Sequence, residues 1–186
     1  MRAGSRWRIG DLAQADALIV ENGFLVVRAS SSARHVVVAE AGAGSILLSP
    51  NDREHLQALT DCWVTVLPHA QLESLLAIPG VAATLFSGLR VALRIRQDAT
   101  RCFAGIRHAD RVRHKLVQLG REFGKVNPDG IRLEFPLTHD LLAEMVASAR
   151  ETVTRSLDEL QRNGFVVRDG HSYRLLISPE GLDAPR

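Results

Sequence analysis

The sequence predicts an α+β protein in which short strands, one long helix and a compact helical unit closed by a hairpin follow one another along 186 residues. Three observations predict it. Between about Ile9 and Pro68, runs rich in Val, Ile and Leu are separated by turn-forming clusters. From Pro79 onward, apolar residues recur at steps of three and four. After Leu137, two short amphipathic segments meet at a break and lead into two strand-like runs around Asp169-Gly170. With 46% hydrophobic residues the chain has enough apolar side chains for one large or two small domains.

The strand region reads as a small β-barrel or roll. Its runs are Leu18 to Val20, Phe24 to Ala29, His35 to Ala39, Ile46 to Leu48 and Cys62 to Leu67. The breaks are Glu21-Asn22-Gly23, Ser30-Ser31-Ser32, Gly42-Ala43-Gly44 and Ser49-Pro50-Asn51-Asp52. Gly42 to Ser45 precedes a strand-like run, which is the wrong context for a phosphate-cradling loop. Arg53-Glu54 reads as an exposed pair in a loop.

A short amphipathic helix over Gln71 to Ile78 leads to Pro79, which suits the first turn of a helix. The long helix then runs to about Ala104. Leu85, Gly88, Ala92, Ile95, Ala99 and Cys102 fall at steps of three and four, the seam of a coiled coil, and its small residues permit close approach of a partner helix. Packing on the chain's own strands is the alternative, and Val81, Leu89, Val91, Leu93 and Phe103 on the flanks require some of it. The pattern loosens at Gly105 and His108-Ala109, a hinge. Asp110 is expected to cap the next helix, with Val112, Leu116, Leu119 and Phe123 on its apolar side. Gly124 to Gly130 reads as a turn-rich linker into a strand at Ile131 to Phe135.

Leu137 to Gly164 reads as a helix-turn-helix. Thr138 can cap a first helix whose inward positions are Leu141, Leu142, Met145 and Val146. Ser148 to Glu151 has the S-x-x-E spacing of a capping box, which places the second helix start at Ser148. Its inward face is Val153, Leu157 and Leu160, Arg150, Glu151, Thr154 and Arg155 fan out opposite, and Gly164 is a stop. A helix laid N-terminus first in a major groove puts such side chains against base edges. Arg forks to O6 and N7 of guanine, and Glu accepts from the amine of cytosine. Arg150, Glu151 and Arg155 are therefore candidate base readers, although Glu151 also suits a cap and Arg155 a solvated ion pair. Phe165 to Arg168 and Tyr173 to Ile177 then form a hairpin, or wing, whose Arg168, His171 and Arg174 suit phosphates. The net charge is only +2, but Arg90 to Lys115 holds eight Lys or Arg against Asp98 and Asp110.

The run SARETVTRSLDEL at Ser148 to Leu160, preceded by LTHDLLA at Leu137 to Ala143 and followed by NGFV at Asn163 to Val166, resembles the DNA-binding domain of the Crp/Fnr transcription regulators. The resemblance implies base reading by Arg150, Glu151 and Arg155 at a half-site of the TGTGA type. It also implies that Thr138, Ala149, Thr152, Gly170 and His171 touch the DNA backbone, and Thr154 on the outward face is placed with them. Ala149 stands where the family carries a second Ser, so one hydroxyl contact is lost. ALIVENGFLVV and VVVAEAGAGS resemble, more weakly, strand pairs of the cyclic-nucleotide-binding β-roll. The expected fold is thus a reduced, cyclic-nucleotide-binding-like β-roll over 1–78, a dimerisation helix and hinge over 79–107, and a winged helix-turn-helix over 108–186.

A cyclic-nucleotide pocket needs a Gly-Glu pair for the ribose and a following Arg for the phosphate, because a buried phosphodiester must meet bidentate donors. Gly42 to Trp63 is shorter than the family stretch and lacks that cassette. One or two family strands are also expected to be missing before Trp7. Cys62 and Cys102 lie far apart outside any C-x-x-C spacing, and read as small buried hydrophobes. The seven histidines hold no H-x-x-x-H or H-x-x-H pair. No cofactor or metal is expected.

No G-x-S-x-G, Walker loop or G-x-G-x-x-G occurs, so an enzyme is not expected. No signal peptide and no apolar run of the ~18 residues that span a membrane is seen, and a cytoplasmic location is expected. The reading is a homodimeric, sequence-specific regulator binding double-stranded DNA, activating through RNA polymerase as the resemblance implies, without a small effector. Its alternatives are gating by an unidentified apolar effector or a redox signal at Cys102, and a winged-helix protein-interaction adaptor. The tail after Ile177 reads as polar and loose.

Overall fold

The computed structural model describes the backbone of residues 1–8, 15–30, 35–101 and 107–178, and the side chains of all of these except 95, 96 and 98–101. The chain divides into two compact units, Met1–Asp98 and Ala99–Arg186. The expected seam residues Ile95, Ala99 and Cys102, the hinge at Gly105 and the tail after Ser178 fall outside the described side chains or residues.

Among the described residues of the first unit, seven strands form two sheets: β1 (Arg6–Arg8), β2 (Ala15–Asn22), β3 (Phe24–Ser30), β4 (His35–Gly42), β5 (Ile46–Leu48), β6 (Glu54–Ala58) and β7 (Trp63–Pro68). One sheet has the order β1-β6-β3-β4 and the other β5-β2-β7, with antiparallel pairing throughout. Alternation decides what each strand buries. Leu18 and Val20 from β2, Leu25 and Val27 from β3, and Leu56 and Ala58 from β6 form one apolar core with Ala39, Ala41, Leu47 and Cys62. The buried hydrophobe expected at Cys62 is found there.

The five expected strands are present, and two more were not anticipated. Arg6–Arg8 and Glu54–Ala58 pair with each other, and β6 pairs with β3 from Ala29↔Glu54 to Leu25↔Ala58. Glu54 therefore opens a strand and is not half of a loop pair, although Arg53 remains exposed. Polar residues alternating with Leu56 and Ala58 disguised this half-buried strand. Gly23 makes the β2–β3 turn with φ of +88°. A Cβ there would lie 2.3 Å from the Asp61 carbonyl oxygen, so the turn admits only glycine.

Helix α1 (His69–Leu76) packs beside β2 and β7, and His69 Nδ1 meets Asp16 Oδ2 at 2.5 Å. Helix α2 (Pro79–Arg101) begins at the expected proline. Of the seam expected to face a partner, Leu85 is buried, and a Cβ on Gly88 would come 2.7 Å from Ile46. Gly88 thus lies against β5 of the roll, and Ala92 is half-buried. Phe86, Leu89 and Leu93 are exposed and form a second stripe, displaced by about 100° around the helix at 100° per residue.

The second unit consists of α3 (His108–Phe123), β8 (Gly124–Asn127), β9 (Gly130–Leu133), α4 (His139–Met145), α5 (Arg150–Arg162), β10 (Val166–Asp169) and β11 (Ser172–Leu175). Helix α3 starts two residues before Asp110, with Arg107 at its N-cap. Asp110 sits in the first turn, where a carboxylate complements the helix dipole. The expected linker at Gly124 to Gly130 is instead a hairpin, β8 with β9. Its strands extend a sheet of order β10-β11-β9-β8, so the strand at Ile131 does pair with the wing as expected. Val112, Leu116 and Leu119 of α3 are fully buried, as are Val153 and Leu157 of α5 and Leu142 of α4. Among the described residues, no single helix is long and apolar enough to cross a membrane.

His55 on β6 lies across from Arg8 and Arg28, and its ring meets that of His35 edge to face. Burial and then the positive charge of Arg28, Arg6, His35 and Arg8 push its pKa below the usual histidine value. The folded state therefore takes up this proton less readily than the unfolded chain. Stability from this site is complete above the unfolded pKa of about 6.5 and is lost as pH falls toward the folded value. Thermal melts of the parent and His55→Gln at pH 7.5 and 5.5 should show a larger acid loss in the parent.

Candidate nucleic-acid interface

Helix α4 is capped as its sequence requires: Thr138 Oγ1 accepts from the Leu141 amide at 3.1 Å, leaving the hydroxyl's own proton to donate elsewhere. After Val146 the chain turns through Ala147, a non-glycine residue at φ of +47°. Here the capping box fails. Ser148 Oγ lies 3.1 Å from His108 Nδ1 at the start of α3, and the N-cap passes to Ala149, whose side chain makes no cap bond. Helix α5 consequently starts at Arg150. Glu151 is then in the first turn, where its charge favours the dipole without closing a box. The stop falls where expected: Gly164 is left-handed at φ of +67°, and the Phe165 amide donates to the Leu160 carbonyl.

Helix α5 buries Val153, Leu157 and Leu160, the expected face, together with Ser156, whose hydroxyl donates to the Thr152 carbonyl. Arg150, Glu151 and Arg155 are all exposed on the side away from that core. Arg150 Nε stands 3.6 Å from Asp140 on α4. Both partners are more than half exposed, so the pair contributes little stability but restrains the arginine at the front of the helix. Among the described residues, Arg155 Nε meets the Glu151 main-chain carbonyl, at 3.5 Å, and no acidic side chain pairs with its fork.

Thr154 departs from expectation. Its hydroxyl is held by His139 Nδ1 at 2.8 Å and donates to the Arg150 carbonyl at 3.0 Å, so it faces inward and does not join the outward reading face. Thr152 is half-buried one turn before Ser156.

The wing turns one residue later than Asp169-Gly170 suggested. Asp169 pairs with Ser172, and the two loop residues are Gly170 and His171, with Gly170 at φ of +63°. Glycine at the first central position is the requirement of a type II′ hairpin. At this tip His171 is exposed and Arg168 Nε donates to the Gly170 carbonyl at 3.3 Å. Arg174 is not part of the tip's charge. Its guanidinium is paired with Asp129 and, at 3.2 Å, with Asp169, which Arg132 also meets at 3.2 Å. Those contacts weld β9, β11 and the β8–β9 turn together and spend the cation.

The basic run before the reader is also partly spent. Arg113 stacks its guanidinium 4.8 Å over Phe165, Arg111 Nη2 meets His108 Nδ1 at 2.6 Å, and Lys115 is buried with its Nζ on Gln118. Arg96 and Arg101 lie outside the described side chains.

Thr138, Asp140, Arg150, Arg168, His171 and Tyr173 surround a cleft of about 340 Å³ between the starts of α4 and α5 and the wing tip. The wing is fixed to this rim by the Leu137 amide, which donates to the His171 carbonyl at 3.0 Å. Three cationic or ionisable groups of the cleft, Arg150, Arg168 and His171, come from separate parts of the chain. Sequence reasoning found those three but not His139 and Tyr173, which meet at 3.0 Å between His139 Nε2 and the Tyr173 hydroxyl. No spacing rule links a helix's first residue to a strand thirty-four positions later.

A two-helix reader with exposed Arg and Glu at the front of its second helix, flanked by a hairpin with a basic tip, defines a DNA-binding transcription regulator of winged helix-turn-helix type. Residues 110–184 match the Crp-like helix-turn-helix domain. The chain is 26% identical over 166 residues to the global nitrogen regulator of Synechococcus elongatus, an alignment covering 84% of this chain and 75% of that protein. To the global nitrogen regulator of a Synechocystis species it is 30% identical over 113 residues, 60% of this chain and half of that relative's length. Its fold matches that of a CooA variant from Carboxydothermus hydrogenoformans, with a TM-score of 0.79 at 20% identity over 98% of this chain and 84% of the other. Residues 110–184 therefore form a Crp-like helix-turn-helix domain, and the rest of the chain shares its fold with Crp/Fnr-type regulators.

The ion pairing separates the two wing arginines in solution. Arg168→Ala should flatten the dependence of DNA affinity on salt by about one phosphate contact. Arg174→Ala should leave that slope unchanged and lower the melting temperature of the second unit instead.

Proposed function

We propose that this regulator binds a pseudo-palindromic operator as a homodimer, activates transcription from it, and does so without cyclic nucleotide. The observation that carries the reading is the joint exposure of Arg150, Glu151 and Arg155 at the front of α5. In this reading Arg150 and Arg155 fork to guanines and Glu151 accepts from cytosine. Thr138, the amide of Ala149, Thr152, Gly170 and His171 hold the backbone and set register. Thr154 is reassigned from phosphate contact to internal support. Activation through RNA polymerase rests on the family resemblance alone.

Two features support the absence of a cyclic nucleotide. Pro50 to Asp52 leads directly into β6, where the family's ribose and phosphate cassette would stand. Among the described residues, the buried core of the roll is aliphatic apart from Cys62, and no charged side chain is buried there to meet a phosphodiester.

For the dimer, the exposed stripe of Phe86, Leu89 and Leu93 is the better partner face, since Leu85 is already buried and Gly88 lies against Ile46. Two copies joined there would present two recognition helices to successive turns of one DNA face. Leu89→Glu with Leu93→Glu should shift sedimentation from dimer to monomer, whereas the same change at Leu85 should unfold the first unit.

Selection from random duplexes with ligand-free protein at physiological salt tests the whole reading. A two-fold site with a G/C-containing half-site is expected. Arg150→Ala should abolish preference for that site, a loss of about 1–3 kcal/mol per bidentate contact, and Glu151→Ala should relax one position. Equal binding by both variants at matched salt would remove these residues from the interface.

A further inference from the structure

Three hydrogen bonds run in series through the reader. The Tyr173 hydroxyl on β11 lies 3.0 Å from His139 Nε2. The other ring nitrogen, Nδ1, lies 2.8 Å from Thr154 Oγ1 on α5, and that hydroxyl reaches the Arg150 carbonyl at 3.0 Å. Tyr173 is buried, and His139 and Thr154 are half-buried, so their polar atoms need partners within the protein.

Only one direction of donation uses every proton. A neutral imidazole has one donor nitrogen and one acceptor. With the proton on Nε2, the Tyr173 hydroxyl would have to accept it, and its own proton would find no acceptor among the described residues. With the proton on Nδ1, Tyr173 donates to Nε2, Nδ1–H donates to Thr154, and Thr154 donates to the Arg150 carbonyl. Each group is then satisfied.

We propose that His139, in its Nδ1-protonated form, is a positioning residue that locks the wing to the recognition helix through Tyr173 and Thr154. The relay ends on the peptide carbonyl of Arg150, the first residue of the reading face. The height of the wing tip over the phosphates is thereby tied to the register of the helix on the bases. This assignment rests on the DNA-binding reading and adds the device that couples its two contact elements.

The test uses the full chain and the duplex recovered by selection. Nitrogen-15 spectra of the imidazole at neutral pH should place the His139 proton on Nδ1. Tyr173→Phe and Thr154→Val should each weaken binding about three- to tenfold, the range for one internal hydrogen bond. The double variant should be no weaker than the worse single, because one break already uncouples wing from helix. Thr154→Ser, which keeps the hydroxyl, should bind like the parent. Tyr173→Phe should also flatten the salt slope by about one contact, which a general loss of stability would not do. A proton on Nε2, or variants matching the parent in affinity and slope below their melting temperatures, would overturn the proposal. If the parent itself selects no duplex, the DNA reading falls, and the tautomer still decides the relay.

Discussion

One helix in this protein must satisfy two opposed demands. Along thirteen residues, α5 buries Val153, Leu157 and Leu160 and keeps Arg150, Glu151 and Arg155 in solvent. The aliphatic stripe draws α5 onto α3 and α4 at roughly 1.5–3 kcal/mol per fully buried side chain, and that attachment holds the charged face at a fixed angle. Much of the unit serves this arrangement. Val112, Leu116 and Leu119 supply the surface beneath, and the wing sheet closes the far edge through Val166 and Leu175. A charged residue on the inward stripe would therefore harm recognition without touching a base.

The first unit divides its obligations differently. Its two sheets bury an aliphatic interior, and helix α2 lays Gly88 against Ile46 and buries Leu85 while Phe86, Leu89 and Leu93 are exposed. Gly88 is what lets the helix approach Ile46 so closely. Two apolar stripes on one helix need different partners, and the roll covers only one of them.

Most of this architecture could be read from periodicity and punctuation. Long apolar strands, Pro79 at a helix start, Thr138 as a cap and Gly164 as a stop are local signals, and the fold honours each of them. The errors share a cause, which is that tertiary partners overrode local preference. Ser148 had the spacing of a capping box, yet its hydroxyl turns to His108, forty residues earlier in the chain. Glu54 to Ala58 lacked the β-branched residues that advertise strands, and is extended because β1 and β3 pair on both sides. At the candidate interface, the exposure of Arg150, Glu151 and Arg155 was legible because charge at a helix start has a recognisable pattern. His139, Thr154 and Tyr173 were not, because each is unremarkable until the fold brings the three together.

The ion cluster of Arg132, Arg174, Asp129 and Asp169 bears on how such a protein finds its site. It leaves the body of the wing close to electrically neutral and confines free positive charge to the tip. Encounters with arbitrary sequence are then held by few phosphates, and since sequence-independent affinity is almost wholly electrostatic, each dwell is brief. Short dwells let a reader sample many positions along a genome before its base contacts commit it to one. A reader whose wing is neutralised in this way would exchange grip on random DNA for speed of search.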